Sequence, residues 1–294
     1  MIERALSGDR RALARVMTEI ELGNDKISES LLGMIHGSFV VGITGFPGSG
    51  KSTVISGLAM EMIKAGQKVG VLCIDPSSPL SGGSLLGDRV RMPELGRQGR
   101  AFIRSVPTGG KKGGLGYFTI DLINALDAAG YEKIFVETVG AGQDETDIHS
   151  IADTVVMVTV PNLGDEIQAI KAGIMEVADI FVVNKADTGP ADEKARELLE
   201  LGMPGRLPEV IKAVATRGEG IAALASAIER HLQKNGRSRQ ERIRSRLKQL
   251  VRHRLEYRLD RYLASRDFDV MVNELLSGRG IGEIISQAAG ELDK

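Results

Sequence analysis

The chain has 294 residues, 42% of them hydrophobic and 26% charged, with a formal net charge of -1. That length allows about one large domain with appendages or about two domains, and the balanced charge gives no global reason to expect nucleic-acid binding. The single cysteine, Cys73, excludes an internal disulfide framework, and no apolar run approaches the roughly 18 residues of a membrane span or forms a signal-peptide core near residue 1, so a soluble, cytoplasmic chain is expected.

Residues 1–32 read as helix with a break at Gly23 and Asn24, because Leu6, Leu13, Met17 and Ile20 recur at helical spacing. From Phe39 onward the pattern alternates. Apolar runs fall at 39–44, 68–74, 101–103, 133–136, 154–160, 180–183 and 210–215. Helical patterns separate most of them, at 53–65, 117–129, 166–174, 192–201 and 220–233. The runs are continuous rather than alternating, as in strands covered on both faces. Strand and helix in turn predict an α/β fold, a mainly parallel sheet with helices on both sides. Helical extensions flank it, giving boundaries at 1–37, 38–235 and 236–294. Ligands of such sheets bind beyond the carboxyl ends of the strands, so the residues just after each run matter most.

The first run ends in GFPGSGKST: Gly45, Phe46, Pro47, Gly48, Ser49, Gly50, Lys51, Ser52 and Thr53. This matches G-x-x-x-x-G-K-[ST] between a strand and a helix. A glycine-rich turn lets backbone N–H groups converge on phosphate, and the helix dipole adds to the attraction. Lys51 would reach the β- and γ-phosphates, and Ser52 would bind magnesium. After the run 180–183 comes NKAD, with Asn184, Lys185 and Asp187. A carboxylate at Asp187 can accept from guanine N1–H and the 2-amino group, neither of which adenine offers, so GTP is preferred over ATP. Ala215, Thr216 and Arg217 occupy the place of a further guanine loop, where a backbone N–H would meet O6.

Glu137 opens ETVG in the slot where many GTPases carry Asp-x-x-Gly, and Asp75 follows another strand. With Asp88 they form the carboxylates available to a magnesium ion beside Ser52, although Asp88 reads equally as a surface acid of a glycine-rich loop. Gln143 is a candidate for positioning the attacking water, and slow intrinsic hydrolysis is expected if nothing orients that water. Lys51, Asp75, Asp88, Glu137 and Gln143 thus make up the expected catalytic set. The glycine-rich stretches 76–88, 108–116 and 141–147 read as switch loops or as ordinary connections.

Taken together, GFPGSGKST, IDPSSPLSGGSLLGDRVRM, VETVGAGQDETDI, GDEIQAIKAGI and NKAD resemble the MeaB/ArgK-type GTPases, the group associated with methylmalonyl-CoA mutase that includes the human cobalamin type A protein. The resemblance implies a P-loop GTPase domain in which Asp75, Asp88 and Glu137 surround magnesium with Ser52. It also implies that Asp165, Glu166 and Lys171 belong to a further switch answering to the partner. The implied function is a GTP-dependent chaperone that gates cofactor loading and protects or reactivates an adenosylcobalamin-dependent acyl-CoA mutase, of the methylmalonyl-CoA or isobutyryl-CoA type. The loop FIRSVPTGGKKGGLG departs from the family's serine-rich version by its Lys111–Lys112 pair.

Residues 236–266 hold eleven Lys and Arg against three Asp and Glu, with Ile243, Leu247, Val251, Leu255, Leu259 and Leu263 spaced by four. That is a long amphipathic helix. Nucleic-acid contact, packing on its own domain and an oligomer or partner arm compete as readings; the resemblance implies a homodimer through C-terminal helices, and composition leads us to expect no nucleic acid and no membrane as partner. A helical pair at 267–276 and 281–289 completes the arm. Two rival functions remain, a nickel-insertion GTPase metallochaperone and a kinase that phosphorylates a substrate. The first lacks ligand spacing among His36, His149, His231, His253 and Cys73. The second lacks a recognisable base and substrate pocket.

Overall fold

The computed structural model describes residues 1–75, 92–107, 115–138, 147–162, 178–200, 209–235, 237–277 and 279–292. The strands are β1 (Phe39–Gly45), β2 (Val69–Asp75), β3 (Ala101–Pro107), β4 (Lys133–Glu137), β5 (Thr154–Thr159), β6 (Ile180–Val183) and β7 (Glu209–Lys212). They form one sheet in the order β3-β2-β4-β1-β5-β6-β7, with every pairing parallel. All carboxyl ends therefore share one edge. β1 lies at the centre, between β4 and β5, so the turn that follows it is flanked by the ends of both halves of the sheet.

Both faces are covered, which is why the strands read as continuous apolar runs. On one face α4 (Lys51–Lys64) and α9 (Ile221–Asn235) bury Ile55, Leu58, Leu224 and Ile228 against Val41, Ile43, Val156 and Val182. On the other, α6 (Thr119–Ala128) and α7 (Asp147–Ile151) come so close that a Cβ at Gly70 or Gly42 would collide with Leu126 or Ile148, and α8 (Ala191–Glu200) packs Leu198 with Phe181 and Val183. The single thiol, Cys73, is fully buried in β2.

Three expected elements differ from what forms. β3 continues to Pro107, because it pairs along the whole of β2 up to Asp75. β7 stops at Lys212, and Ala215–Arg217 is a turn of 3₁₀ helix closed by a bridge between Val214 and Glu219. The N-terminal stretch breaks twice, into α1 (Ile2–Leu6), α2 (Arg10–Glu21) and α3 (Asp25–Leu32). The additional break has a local cause. Gly8 takes a left-handed backbone, and Asp9 caps α2 by accepting from the N–H groups of Arg11 and Ala12 at 2.9 and 3.0 Å. The Ala12 bond and the Arg4 side chain hold the Asp9 carboxyl below its usual pKa. A one-turn helix, α5 (Pro93–Gly96), was not anticipated either, and the pattern expected at 166–174 lies outside the described residues.

The segment entering β1 is fastened by charge. Buried Asp127 of α6 accepts from the backbone N–H groups of His36, Gly37 and Ser38, at 2.9, 2.9 and 3.1 Å. The carbonyls of the same segment face arginines of α10 (Arg239–Leu263): Arg239 donates to Ile35 and His36, Arg242 to Gly37, and Arg246 to Ser38. Arg246 also pairs with Asp127 at 2.6 Å, with both side chains buried. Asp153, beneath the same cluster, accepts from Val40 N–H at 2.9 Å; burial raises its pKa against the opposing pull of that bond and of Arg237.

Packing divides the chain into Met1–Arg246 and Leu247–Lys294, so α10 spans both units. Within the second unit, Ser265 caps α11 (Arg266–Leu276) and the Tyr262 and Phe268 rings meet edge-on at 6.0 Å. Arg279, before α12 (Ile281–Leu292), pairs with Glu274 and Glu283. Leu247, Val251, Leu255, Leu259 and Leu263 form an exposed apolar ridge on α10. Among the described residues, no helix is long and apolar enough to cross a membrane.

Candidate functional site

The turn from β1 into α4 is built for close backbone approach. Gly45, Gly48 and Gly50 all have positive φ, and a Cβ at Gly45 would strike the carbonyl of Val158 on β5. Gly50 supplies the left-handed residue before α4. Lys51 is buried, and its Nζ donates to the carbonyls of Gly45 at 2.7 Å and Phe46 at 3.2 Å. A buried ammonium at a glycine-rich turn stands where anionic oxygens would be received. The buried hydroxyl of Ser49 has no hydrogen-bond partner among the described residues, leaving one more polar group in the same loop for a ligand.

Beside this loop, the Ser52 hydroxyl donates to Glu137 Oε1 at 2.7 Å. Glu137 ends β4 and Asp75 ends β2, two strands that are neighbours; both carboxylates are buried at the carboxyl edge. Hydroxyl and carboxylate oxygens are the donors a magnesium ion takes, one or two at a time, with water and phosphate completing the shell. Among the described residues no group of three or more His, Cys, Asp or Glu could hold a metal unaided. One hydroxyl with one or two carboxylates is a donor set that fits a magnesium ion whose remaining ligands are phosphate and water. Thr138 donates to Thr44 Oγ1 at 3.2 Å, tying the residue after Glu137 to β1.

The third part is NKAD. Asn184 is buried and uses both ends of its amide: Nδ2 donates to Ser49 O at 2.8 Å, and Oδ1 accepts from Ala215 N–H at 3.1 Å. One side chain therefore joins the glycine-rich turn to the ATR turn. Lys185 has φ 54°, a left-handed backbone rare outside glycine, and its Nζ reaches back to Gly48 O at 2.8 Å. Asp187 lies 3.3 Å from Arg217 Nη2, and Arg217 Nε lies 2.8 Å from Glu219.

Residues 13–265 match the family model described as methylmalonyl-CoA mutase-associated GTPase MeaB. The chain belongs to the MeaB family. A Pyrococcus abyssi relative is 44% identical over 292 residues, covering 94% of this chain and 90% of its own. The GTPase ArgK of Escherichia coli is 37% identical over 287 residues, covering 91% and 87%. Among solved structures, that of a LAO/AO transport system kinase superposes with a TM-score of 0.68 at 26% identity, covering 100% of this chain and 96% of that one. The MeaB resemblance and the α/β fold drawn from the motifs both hold.

In this MeaB-family chain, residues 45–53, Asp75, Glu137, Asn184, Lys185, Asp187 and the ATR turn are gathered at one sheet edge. Asp88, Gln143, Asp165, Glu166, Lys171, Lys111 and Lys112 lie outside the described residues. Glu219 was not anticipated as part of the site. One cue was present in the sequence: Glu219 stands two residues after Arg217, between Gly218 and Gly220. Among the histidines, His231 bridges Thr154 at 2.9 Å and Asp179 at 3.3 Å, and His253 is buried.

Proposed function

We propose that this MeaB-family protein binds GTP with magnesium, hydrolyses it slowly when alone, and uses the nucleotide state to gate cofactor loading and to protect or reactivate an adenosylcobalamin-dependent acyl-CoA mutase. The observation that carries the nucleotide part is the pair of hydrogen bonds made by Asn184, which couples a phosphate-type turn to a base-type turn through one amide. The family's description carries the mutase part.

In this reading Lys51 leaves the Gly45 and Phe46 carbonyls for the β- and γ-phosphates, and the turn's N–H groups hold the rest of the triphosphate. Ser52 and, through water, Glu137 or Asp75 would hold magnesium, which supplies positive charge to the phosphate oxygens. Lys185 lies along the purine face and Asp187 accepts from guanine. Catalysis then rests on positioning and charge, which accounts for a slow basal rate. The exposed ridge of α10 supports a homodimer through the C-terminal helices.

The test measures GTP hydrolysis with and without a purified adenosylcobalamin-dependent mutase, scoring free phosphate and any phosphorylated protein. Stimulated release of free phosphate, lost in Lys51→Ala, is expected. No binding and no change in turnover with methylmalonyl-CoA and isobutyryl-CoA mutases would sink the chaperone reading. Phosphate transferred to a protein acceptor would favour a kinase, the activity for which the solved relative is named.

A further inference from the structure

The Asp187 carboxylate already has a partner of the same kind that guanine would offer. Arg217 presents a planar cation, and one of its nitrogens, Nη2, stands 3.3 Å from Asp187 Oδ2. Guanine presents N1–H and the 2-amino group, two donors in one plane, to that carboxylate. An arginine nitrogen on Oδ2 competes with a base donor for that oxygen. The guanidinium is already shared with a second acceptor, since Arg217 Nε is 2.8 Å from Glu219 Oε1.

The backbone around this pair is pinned, so the side chain is the part that can move. Ala215 N–H is held by Asn184, Val214 and Glu219 form a bridge, and a Cβ at Gly220 would strike the Lys212 carbonyl. By contrast the Arg217 side chain is 54% exposed and that of Asp187 38%. A swing from Asp187 to Glu219 alone requires only rotamer changes at the surface.

We infer that Arg217 is a competitive cap on the base site: it is shared between Asp187 and Glu219 until guanine takes the Asp187 carboxylate, and is then held by Glu219 alone. This rests on the guanine reading of Asp187 given above. Arg217 is then a positioning residue whose effect is to weaken nucleotide binding and hasten release, and Glu219 is the group that relieves the competition. Its size is bounded, because an exposed ion pair changes an equilibrium by at most about fivefold.

The two residues must act with opposite sign, which an ordinary structural role would not produce. Binding and dissociation of a fluorescent GDP are measured for the full-length protein, Arg217→Ala, Glu219→Gln and the double variant. Arg217→Ala should bind GDP about two- to fivefold more tightly with slower release. Glu219→Gln should bind it more weakly by a similar factor, and the double variant should match Arg217→Ala. Unchanged or weaker binding in Arg217→Ala, or a shift of both single variants in one direction, overturns the cap. Asp187→Asn, assayed with GDP and xanthosine diphosphate, separates the underlying reading. A switch of preference to the xanthine nucleotide without tightening in Arg217→Ala discards the cap alone; no switch discards the guanine site and the cap together.

Discussion

Gly50 combines a φ of 91° with a Cβ position that would run into Asn184 Nδ2. Replacement by alanine must strain the backbone and push aside the amide that joins two turns. Gly50→Ala is therefore expected to cost about 1–3 kcal/mol, read as a lower urea midpoint, and to weaken GDP binding at the same time. An unchanged midpoint with unchanged affinity would refute the role given to this amide. At this scale the motifs were legible because they are local: GFPGSGKST and NKAD each specify chemistry within a few consecutive residues. The contacts between them were not. Ser52 and Glu137 were both expected near a metal, yet their mutual hydrogen bond spans 85 positions and follows from strand order. Asp187 was legible as an acceptor, but nothing in NKAD announces that Arg217 would occupy it.

The arginines at the start of α10 show the same divide among elements. Eleven basic residues in 236–266 made a charged arm plain from composition, whereas the destination of its first turns depended on where Asp127 and Asp153 came to rest. Arg246 and Asp127 form a buried pair, and Asp127 also accepts from three backbone N–H groups. Removing one member of such a pair strands the other. Arg246→Ala is expected to destabilise the fold by about 3–5 kcal/mol in urea denaturation, and a loss under about 1 kcal/mol would contradict the pairing. Element type was readable where apolar runs were long, as in β1, β2 and β5. Boundaries failed where the deciding interaction was not in the run itself. β3 was lengthened by its pairing with β2, β7 was cut short by the Val214–Glu219 bridge, and α1 was separated from α2 by the Asp9 cap.

For the whole molecule, alternation of strand and helix was enough for the α/β class, while the order β3-β2-β4-β1-β5-β6-β7 has no local signature. The ridge of Leu247, Val251, Leu255, Leu259 and Leu263 leaves large side chains exposed, Leu255 to 62%, which a single copy of the chain gains nothing from. Light scattering on the full-length protein is expected to give twice the 31.5 kDa chain mass. A Leu255→Asp, Leu259→Asp variant should return to the monomer mass, whereas a monomeric parent protein would remove the argument for a dimer. Cys73 has a different consequence at this scale. The chain contains one thiol and no tryptophan, and that thiol sits wholly inside β2, two residues before Asp75. A thiol reagent can reach it only when the strand opens, so the labelling rate is a clock for opening of the sheet. The clock should slow when a ligand favours the closed fold, and it reports from inside the strand whose end carries Asp75 without any label having been engineered into the molecule.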